Sequence, residues 1–143
     1  MNNTLIITTE QFTKRFVNLC LRGLAGIPKD QNDQHILLKS AVMYIRMNKP
    51  LTEKELNDRL QTWLDLVSAG ENLDRVSLRR WLVDSGYLTR DGLGSQYEIA
   101  QPEPHSGLFE PAIEQLEPSS ILQAAREEME RKKQAYLQKA KGA

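Results

Sequence analysis

The stretch "SLRRWLVDSGYLTRDG", residues 77–92, contains the signals for a helix, a helix end and the start of a β-hairpin. At about 100° per residue, Leu78, Trp81 and Leu82 fall on one helix face and form its predicted core side. Gly86 stands where many helices end in a left-handed residue. The β-formers of "YLT" and "QYEI" then flank the turn sequence "RDGLGS". The stretch therefore predicts a short helix that stops at Gly86 and leads into a hairpin.

The adjacent arginines Arg79 and Arg80 point to different sides of this helix. Arg79 lies beside the core face, so its stem is predicted to run along the core and its guanidinium to bond a carboxylate or a carbonyl. Arg80 points away from the core and is the predicted partner-contacting residue. Val76 and Val83 neighbour Arg80 on the wheel, which indicates that another segment or a second subunit covers part of this surface.

Two capping boxes place the starts of the first and third helices. Thr8 with Gln11 begins the first helix, and Thr52 with Glu55 begins the third. The apolar periodicity between them predicts a second helix over about residues 32–47. Together with the helix of the opening stretch, four helices therefore precede the hairpin.

The order helix, helix, helix and hairpin is typical of a winged helix-turn-helix domain. In this interpretation residues 75–85 form the recognition helix and residues 87–99 form the wing. We therefore predict a mainly α fold with a small β-hairpin, in which a winged helix-turn-helix core carries an added N-terminal helix and a C-terminal helical extension. The predicted units are an N-terminal helix (1–26), a winged-helix domain (27–100), a Pro/Glu-rich linker (101–118) and a charged C-terminal helix (119–143).

The segment after Ile99 changes composition and holds four of the chain's six prolines. Such a segment is predicted to be extended and to lie over the surface of the domain. Leu108, Phe109 and Ile113 are its predicted anchors.

A third capping box, Ser120 with Gln123, predicts the start of the charged C-terminal helix. Its apolar stripe contains Leu122 and Met129 but is interrupted by lysines, so a coiled coil is not expected from it.

The formal net charge is zero, but the charges are distributed in segments. Residues 48–100 hold seven basic and nine acidic side chains, and residues 101–118 hold four glutamates and no basic residue. A dedicated DNA-binding domain usually has a net basic surface. The charge pattern therefore counts against strong nucleic-acid binding.

Composition also bounds the compartment and the chemistry. Cys20 is the chain's one cysteine, which excludes an internal disulfide and suggests a reducing compartment. The first ten residues lack a positive n-region, so we do not expect them to be a signal peptide. Because apolar runs fall short of the roughly 18–20 residues of a membrane span, we expect a cytoplasmic protein with no membrane partner.

Catalysis is not predicted. His35 and His105 lie in different segments, without the carboxylate spacing of a metal site. Cys20 falls on the apolar face of the first helix and is the predicted position of a buried structural thiol. The sequence "DGLGS" lies between two strands and does not precede a helix, so it is not a phosphate-binding loop. We therefore expect no enzyme activity, no cofactor and no metal.

Two strings, "LTEKELNDRL" and "DRVSLRRWLVDSGYLTRDGLGSQYEI", resemble a bacterial domain-of-unknown-function family, number 2087. The resemblance covers roughly residues 27–99, and its most specific part is Leu-Arg-Arg-x-Leu-Val-Asp-x-Gly. It implies a winged-helix-like module and regulation more than catalysis, and it supplies no ligand. The matching residues are Thr52, Glu53, Glu55, Asn57, Asp74, Leu78, Arg79, Arg80, Leu82, Val83, Asp84, Gly86, Arg90, Gly92 or Gly94, and Tyr97.

Three functions are compatible with these patterns. The first is a transcriptional regulator that binds double-stranded DNA, as a homodimer. The second is a protein-interaction or oligomerisation module that uses the same fold without DNA. The third is a small-molecule sensor with a pocket between the first helix and the core. In the first, the DNA-contacting residues are predicted to be Arg75, Ser77, Arg80, Arg90 and Lys54, and the structural ones Arg79, Leu78, Trp81, Leu82 and Gly86.

Overall fold

The computed structural model describes residues 6–46, 48–67, 72–93, 96–100 and 105–142. Across these residues the chain forms five α-helices, two short 3₁₀ helices and a small three-stranded antiparallel sheet. The predicted mainly α fold with a β-hairpin is therefore confirmed. The α-helices are α1 (Thr9–Leu21), α2 (Gln31–Ile45), α3 (Glu53–Leu66), α4 (Arg75–Asp84) and α5 (Pro118–Lys141). The strands are β1 (Leu51–Thr52), β2 (Leu88–Arg90) and β3 (Gln96–Ile99), and the 3₁₀ helices are Ser106–Leu108 and Pro111–Gln115.

Both of the first two predicted capping boxes form. The Thr8 hydroxyl accepts a hydrogen bond from the Gln11 backbone N–H, and the Gln11 side chain accepts one from the Thr8 N–H, at 3.1 and 3.0 Å. Thr52 and Glu55 repeat this exchange at the start of α3. Each box satisfies two backbone N–H groups that the first helical turn leaves unpaired.

The third predicted capping box, at Ser120, is wrong. α5 begins two residues earlier, at Pro118, and Glu117 occupies the N-cap position without a side-chain hydrogen bond. Proline favours the first helical position because its fixed φ suits a helix and its missing N–H has no partner there. Ser120 therefore lies inside the first turn, where its hydroxyl donates to the Glu117 carboxylate.

The end of α4 follows the prediction at Gly86. The Gly86 N–H donates to the Val83 carbonyl and the Tyr87 N–H donates to the Leu82 carbonyl, at 3.0 and 2.9 Å. This is the double hydrogen bond of a Schellman motif, and Gly86 has the positive φ of 84° that it requires. The motif turns the chain so that Tyr87 enters the core and Leu88 begins β2.

The sheet contains one strand more than the predicted hairpin. β2 pairs with β3, with Leu88 opposite Ile99, and β1 pairs with the other edge of β3, with Leu51 opposite Tyr97. The sheet order is therefore β1-β3-β2. Gly94 of the predicted hairpin loop lies outside the described residues.

The C-terminal segment completes the core. Ile7 and Phe109 form an isolated parallel bridge, in which the Ile7 N–H donates to the Leu108 carbonyl and the Glu110 N–H donates to the Ile7 carbonyl. Phe109, Ile113 and Leu122 are buried. The segment that was predicted to be extended instead forms the two 3₁₀ helices, the second with Pro111 in its first turn.

Two buried charges join the outer segments to α2. Lys39 is only 2 % exposed, yet its ammonium pairs with Glu114 of the C-terminal segment and lies 5.5 Å from the centre of the Phe109 ring. Asp33, also buried, accepts two hydrogen bonds from the Arg15 guanidinium of α1, at 3.0 and 2.7 Å. A buried charge is costly unless it is paired. These two contacts therefore fix the positions of α1 and of the C-terminal segment on α2.

Among the described helices, none has both the length and the apolar character that a membrane crossing requires.

Candidate nucleic-acid interface

α4 buries one side and exposes the other. Leu78 and Leu82 are fully buried, and Trp81 is partly buried against the same core. Arg80 is exposed, as are the two residues predicted beside it as DNA contacts, Arg75 and Ser77. The helix thus presents an arginine-bearing surface to solvent.

The two valines of this surface differ in exposure. Val83 is partly buried and packs against the core, whereas Val76 is exposed. Val83 is therefore partly covered by the core of the domain itself, whereas Val76 is exposed within the described residues.

Arg79 joins α4 to the start of α3. Its guanidinium donates to Asn57 Oδ1 at 2.6 Å and lies 3.2 Å from Glu53 Oε1. It also lies 5.8 Å from the centre of the Tyr97 ring on β3, within the range of a cation–π contact. The Arg79 side chain is 17 % exposed, so most of it is committed to these three contacts.

A cleft of about 270 Å³ opens between α4 and the hairpin. Arg80 from α4 and Arg90 from β2 line it together with Arg79. The Arg90 guanidinium lies 5.9 Å from the centre of the Tyr97 ring, which Arg79 also contacts. Among the described residues, neither Arg80 nor Arg90 forms an ion pair. Asp84 is the one carboxylate in the lining, so the cleft has an excess of positive charge.

The other predicted contacts lie outside the cleft lining. Lys54 on α3 and Arg75 on α4 are exposed. Ser77 serves the start of α4, because its backbone N–H donates to the Asp74 carboxylate at 2.7 Å. That hydrogen bond lowers the pKa of Asp74, which keeps the capping carboxylate ionised. The structure therefore brings Arg80 and Arg90 together and leaves Lys54, Arg75 and Ser77 outside the lining of the cleft.

A second cleft of similar volume, near Arg15 and Asp33, has a different electrostatic character. There the arginine and the carboxylate already satisfy each other, and this pair raises the pKa of Arg15. The α4–hairpin cleft is the better anion site because two of its three arginines are not committed to a carboxylate.

The two histidines, which lie in different segments of the sequence, meet in the fold. The ring of His105 lies 4.6 Å from the ring of His35 and 4.9 Å from that of Tyr87, measured between ring centres. His35 Nδ1 is 2.8 Å from the Tyr87 hydroxyl, and His105 Nε2 is 2.7 Å from the Ser85 carbonyl oxygen. Burial, and secondarily the neighbouring His105, lower the pKa of His35.

The histidine cluster contains no set of three metal-binding side chains among the residues that the structure describes. Its geometry is that of a contact between the C-terminal segment and the end of α4. Cys20 is likewise structural in its surroundings, because it is buried on α1 and burial raises the pKa of its thiol to about 12. Such a thiol is almost entirely protonated at neutral pH and is a poor nucleophile.

Sequence reasoning singled out Arg80 and Arg90 but missed Tyr97, Glu53 and Asn57 as neighbours of the arginines. All three belong to the two strings that resemble the family, so the sequence marked them as family residues. It did not show that they contact Arg79. The contact became visible only when α3, α4 and β3 were placed together.

Comparisons with known proteins bear on the same region. Neither the curated proteins nor the solved structures contain a match to this chain. A family model does match, over residues 23–99, which is just over half of the chain and includes every residue of the cleft. The chain therefore belongs to the family described as uncharacterized proteins conserved in bacteria, DUF2087.

Proposed function

We propose that this chain is a winged-helix protein that binds double-stranded DNA through α4 and the β2–β3 hairpin, and that it acts in the cytoplasm as a transcriptional regulator. The order of α2, β1, α3, α4, β2 and β3 supports this proposal, since winged-helix domains have the same succession of elements. In such domains the last helix before the hairpin is the recognition helix, and phosphate contacts come from that helix and from the wing.

The observation that carries the proposal is the convergence of Arg80 and Arg90. They come from the two elements that contact DNA in a winged helix, and they line one cleft. An arginine fork matches the geometry of a phosphate group. Arg75 at the start of α4 and Lys54 in the first turn of α3 are exposed and are the further phosphate contacts of this proposal.

The salt dependence of binding tests the proposal. With the four phosphate contacts of Arg80, Arg90, Arg75 and Lys54, the slope of log K against log salt is expected to be roughly −3.6, which weakens binding by about 150-fold between about 50 and 200 mM salt. Fluorescence anisotropy with a labelled random duplex measures both quantities. For Arg80→Ala we expect a slope shallower by about 0.9, since one contact is lost.

Lys14→Ala is the matched control, because Lys14 is an exposed cation on α1. It should leave the slope unchanged. If the duplex does not bind at the lower salt, or if the slopes of Arg80→Ala and the unsubstituted chain coincide, the proposal is wrong.

A protein-interaction module without DNA binding is the second candidate. It is favoured by two exposed apolar side chains on the same two elements, Val76 of α4 and Leu93 of the hairpin turn, which is 92 % exposed. The net charge of zero also fits this candidate better than it fits a strong nucleic-acid binder. The test compares how two variants bind a protein that is recovered with the chain as bait. Loss of this binding in Val76→Glu, with unchanged binding of Arg80→Ala, would favour the second candidate.

A further inference from the structure

The second half of α5 extends beyond the rest of the molecule. Pro118 and Leu122, in its first two turns, are buried against the core. Every described residue from Glu127 to Gly142 is exposed. This projecting segment, residues 127–142, is about 24 Å long at about 1.5 Å per residue.

The side of α5 that packs on the core continues along the projecting segment. Met129, Tyr136 and Leu137 are large apolar side chains there, with exposed fractions of 53, 72 and 42 %. At about 100° per residue, three residues of the segment besides Met129 fall within about 40° of the direction of Leu122, and Leu137 falls at about 60°. Those three are Lys133, Tyr136 and Ala140. One face of α5 is therefore buried against the core near Leu122. The same face is exposed along the projecting segment within the described structure.

The charges of the projecting segment are separated along its length. Its first four residues contain three glutamates and no basic residue, and residues 131–141 contain five basic residues and no acidic one. Two such segments side by side in the same direction would place glutamate against glutamate and lysine against lysine. In opposite directions, each acidic end would lie against a basic end.

We propose that the projecting segment pairs with the same segment of a second copy of this chain, in antiparallel orientation. One register satisfies both the apolar and the charged residues. When Met129 lies opposite Leu137 of the second copy, Glu127 lies opposite Lys139 of that copy. Glu128 lies opposite Gln138, one residue from the same lysine, and Lys141 follows two residues beyond Lys139. The inference concerns a different surface from the DNA-binding proposal and does not depend on it.

Lys133 limits the strength of this pair. In the same register Lys133 lies opposite Lys133 of the second copy, at the middle of the apolar face. A polar residue at such a position lowers stability while fixing register. The short length and the lysine pair explain why the stripe alone did not predict a coiled coil, and they predict a weak dimer.

Sedimentation equilibrium over about 10 µM to 1 mM protein, without DNA, measures the association. We expect Lys133→Leu to tighten the dimer by roughly tenfold or more, since an apolar side chain replaces the charge at the crossing. Leu137→Glu should abolish association at every concentration. All these side chains are exposed, so circular dichroism should show the globular fold unchanged in each variant.

Charge reversal tests the register. Glu127→Lys with Glu128→Lys should give a monomer, as should Lys139→Glu with Lys141→Glu. All four substitutions together should restore the dimer. Monomeric behaviour of the unsubstituted chain and of Lys133→Leu up to about 1 mM would overturn the proposal, and so would a dimer that survives Leu137→Glu.

Cysteine crosslinking tests the orientation with two matched variants on the same helix face. Lys133→Cys should form an intermolecular disulfide on oxidation, because position 133 meets itself in the antiparallel pair. Ala140→Cys should not, because the two 140 positions lie at opposite ends. The reverse result would show a parallel pair and contradict the proposal.

Discussion

At the scale of single residues, His35 is the group whose protonation the fold resists. It lies on α2, with Nδ1 2.8 Å from the Tyr87 hydroxyl and its ring centre 4.6 Å from that of His105. Burial disfavours the imidazolium, and a charge on His105 disfavours it further, so the pKa of His35 lies below the ordinary 6.5. The contact thus links the protonation of His35 to the docking of the C-terminal segment.

A dependence of stability on pH follows. Well above pH 6.5 the imidazole is neutral in both the folded and the unfolded chain, and its contribution to the free energy of unfolding is constant. As the pH falls from 6.5 toward the lower pKa of the folded state, the unfolded chain takes up the proton first, so the free energy of unfolding decreases. Urea unfolding at about pH 7.5, 6.5 and 5.5 measures this decrease. His35→Gln should flatten it, since Gln does not titrate.

His105→Gln is the second variant in this test. It removes the secondary cause of the lowered pKa while burial of His35 remains, so we expect a smaller decrease than in the unsubstituted chain. The interpretation fails if the unsubstituted chain and His35→Gln lose stability in parallel between pH 7.5 and 5.5.

At the scale of elements, Arg79 holds α4 to α3 and to β3. Its contacts with Asn57 and Glu53 come from the first turns of α3, and its contact with the Tyr97 ring comes from β3. Arg80, the next residue, forms no hydrogen bond, ion pair or cation–π contact with these three described residues. The adjacent arginines are therefore a natural matched pair.

We expect Arg79→Ala to lower the free energy of unfolding by about 2 kcal/mol, because it removes a largely buried, charge-assisted hydrogen bond and leaves the Asn57 amide oxygen without that donor. Arg80→Ala should change it by less than about 0.5 kcal/mol, as is usual for an exposed side chain. Urea unfolding monitored by tryptophan fluorescence gives both values. Equal losses in the two variants would contradict the separate roles of the pair.

The elements that local sequence signals define were predictable. The capping boxes at Thr8 and Thr52 depend on residues three apart, and the helix end at Gly86 depends on one glycine and its neighbours. β1 was not predictable, since two residues show no alternation and Leu51 becomes a strand residue only by pairing with Tyr97. At the candidate site, the wheel separated Arg79 from Arg80, but the partners of Arg79 come from distant segments.

The contact between His35 and His105 was missed for the same physical reason. It requires the C-terminal segment to fold back across α2 and the end of α4. Proline content predicted an extended segment that lies over the surface of the domain, not one that folds into 3₁₀ helices. The apolar anchors Leu108, Phe109 and Ile113 were the better guide, because the first is partly buried and the other two are buried.

At the scale of the whole molecule, the core extends beyond the region that the family model matches. That region ends at residue 99. Phe109, Ile113 and Leu122 lie later in the chain, yet they are part of the same buried cluster as the residues of α1 and α2. Glu114, the partner of the buried Lys39, also lies in this later part. Residues 105–126 are therefore a structural part of the domain, whereas residues 127–142 project from it.

Two truncations separate these parts. A chain of residues 1–126 keeps every buried side chain named above, so we expect its midpoint of urea unfolding to stay close to that of the full chain.

A chain of residues 1–100 loses three large apolar side chains from the core, each contributing about 1.5–3 kcal/mol when buried. It also loses the Glu114 contact of Lys39. This loss is comparable to the entire stability of a typical domain, about 5–15 kcal/mol, so residues 1–100 should not unfold cooperatively. Urea unfolding monitored by circular dichroism compares the two chains. A cooperative transition of residues 1–100 at the midpoint of the full chain would show that the C-terminal segment is dispensable for the fold.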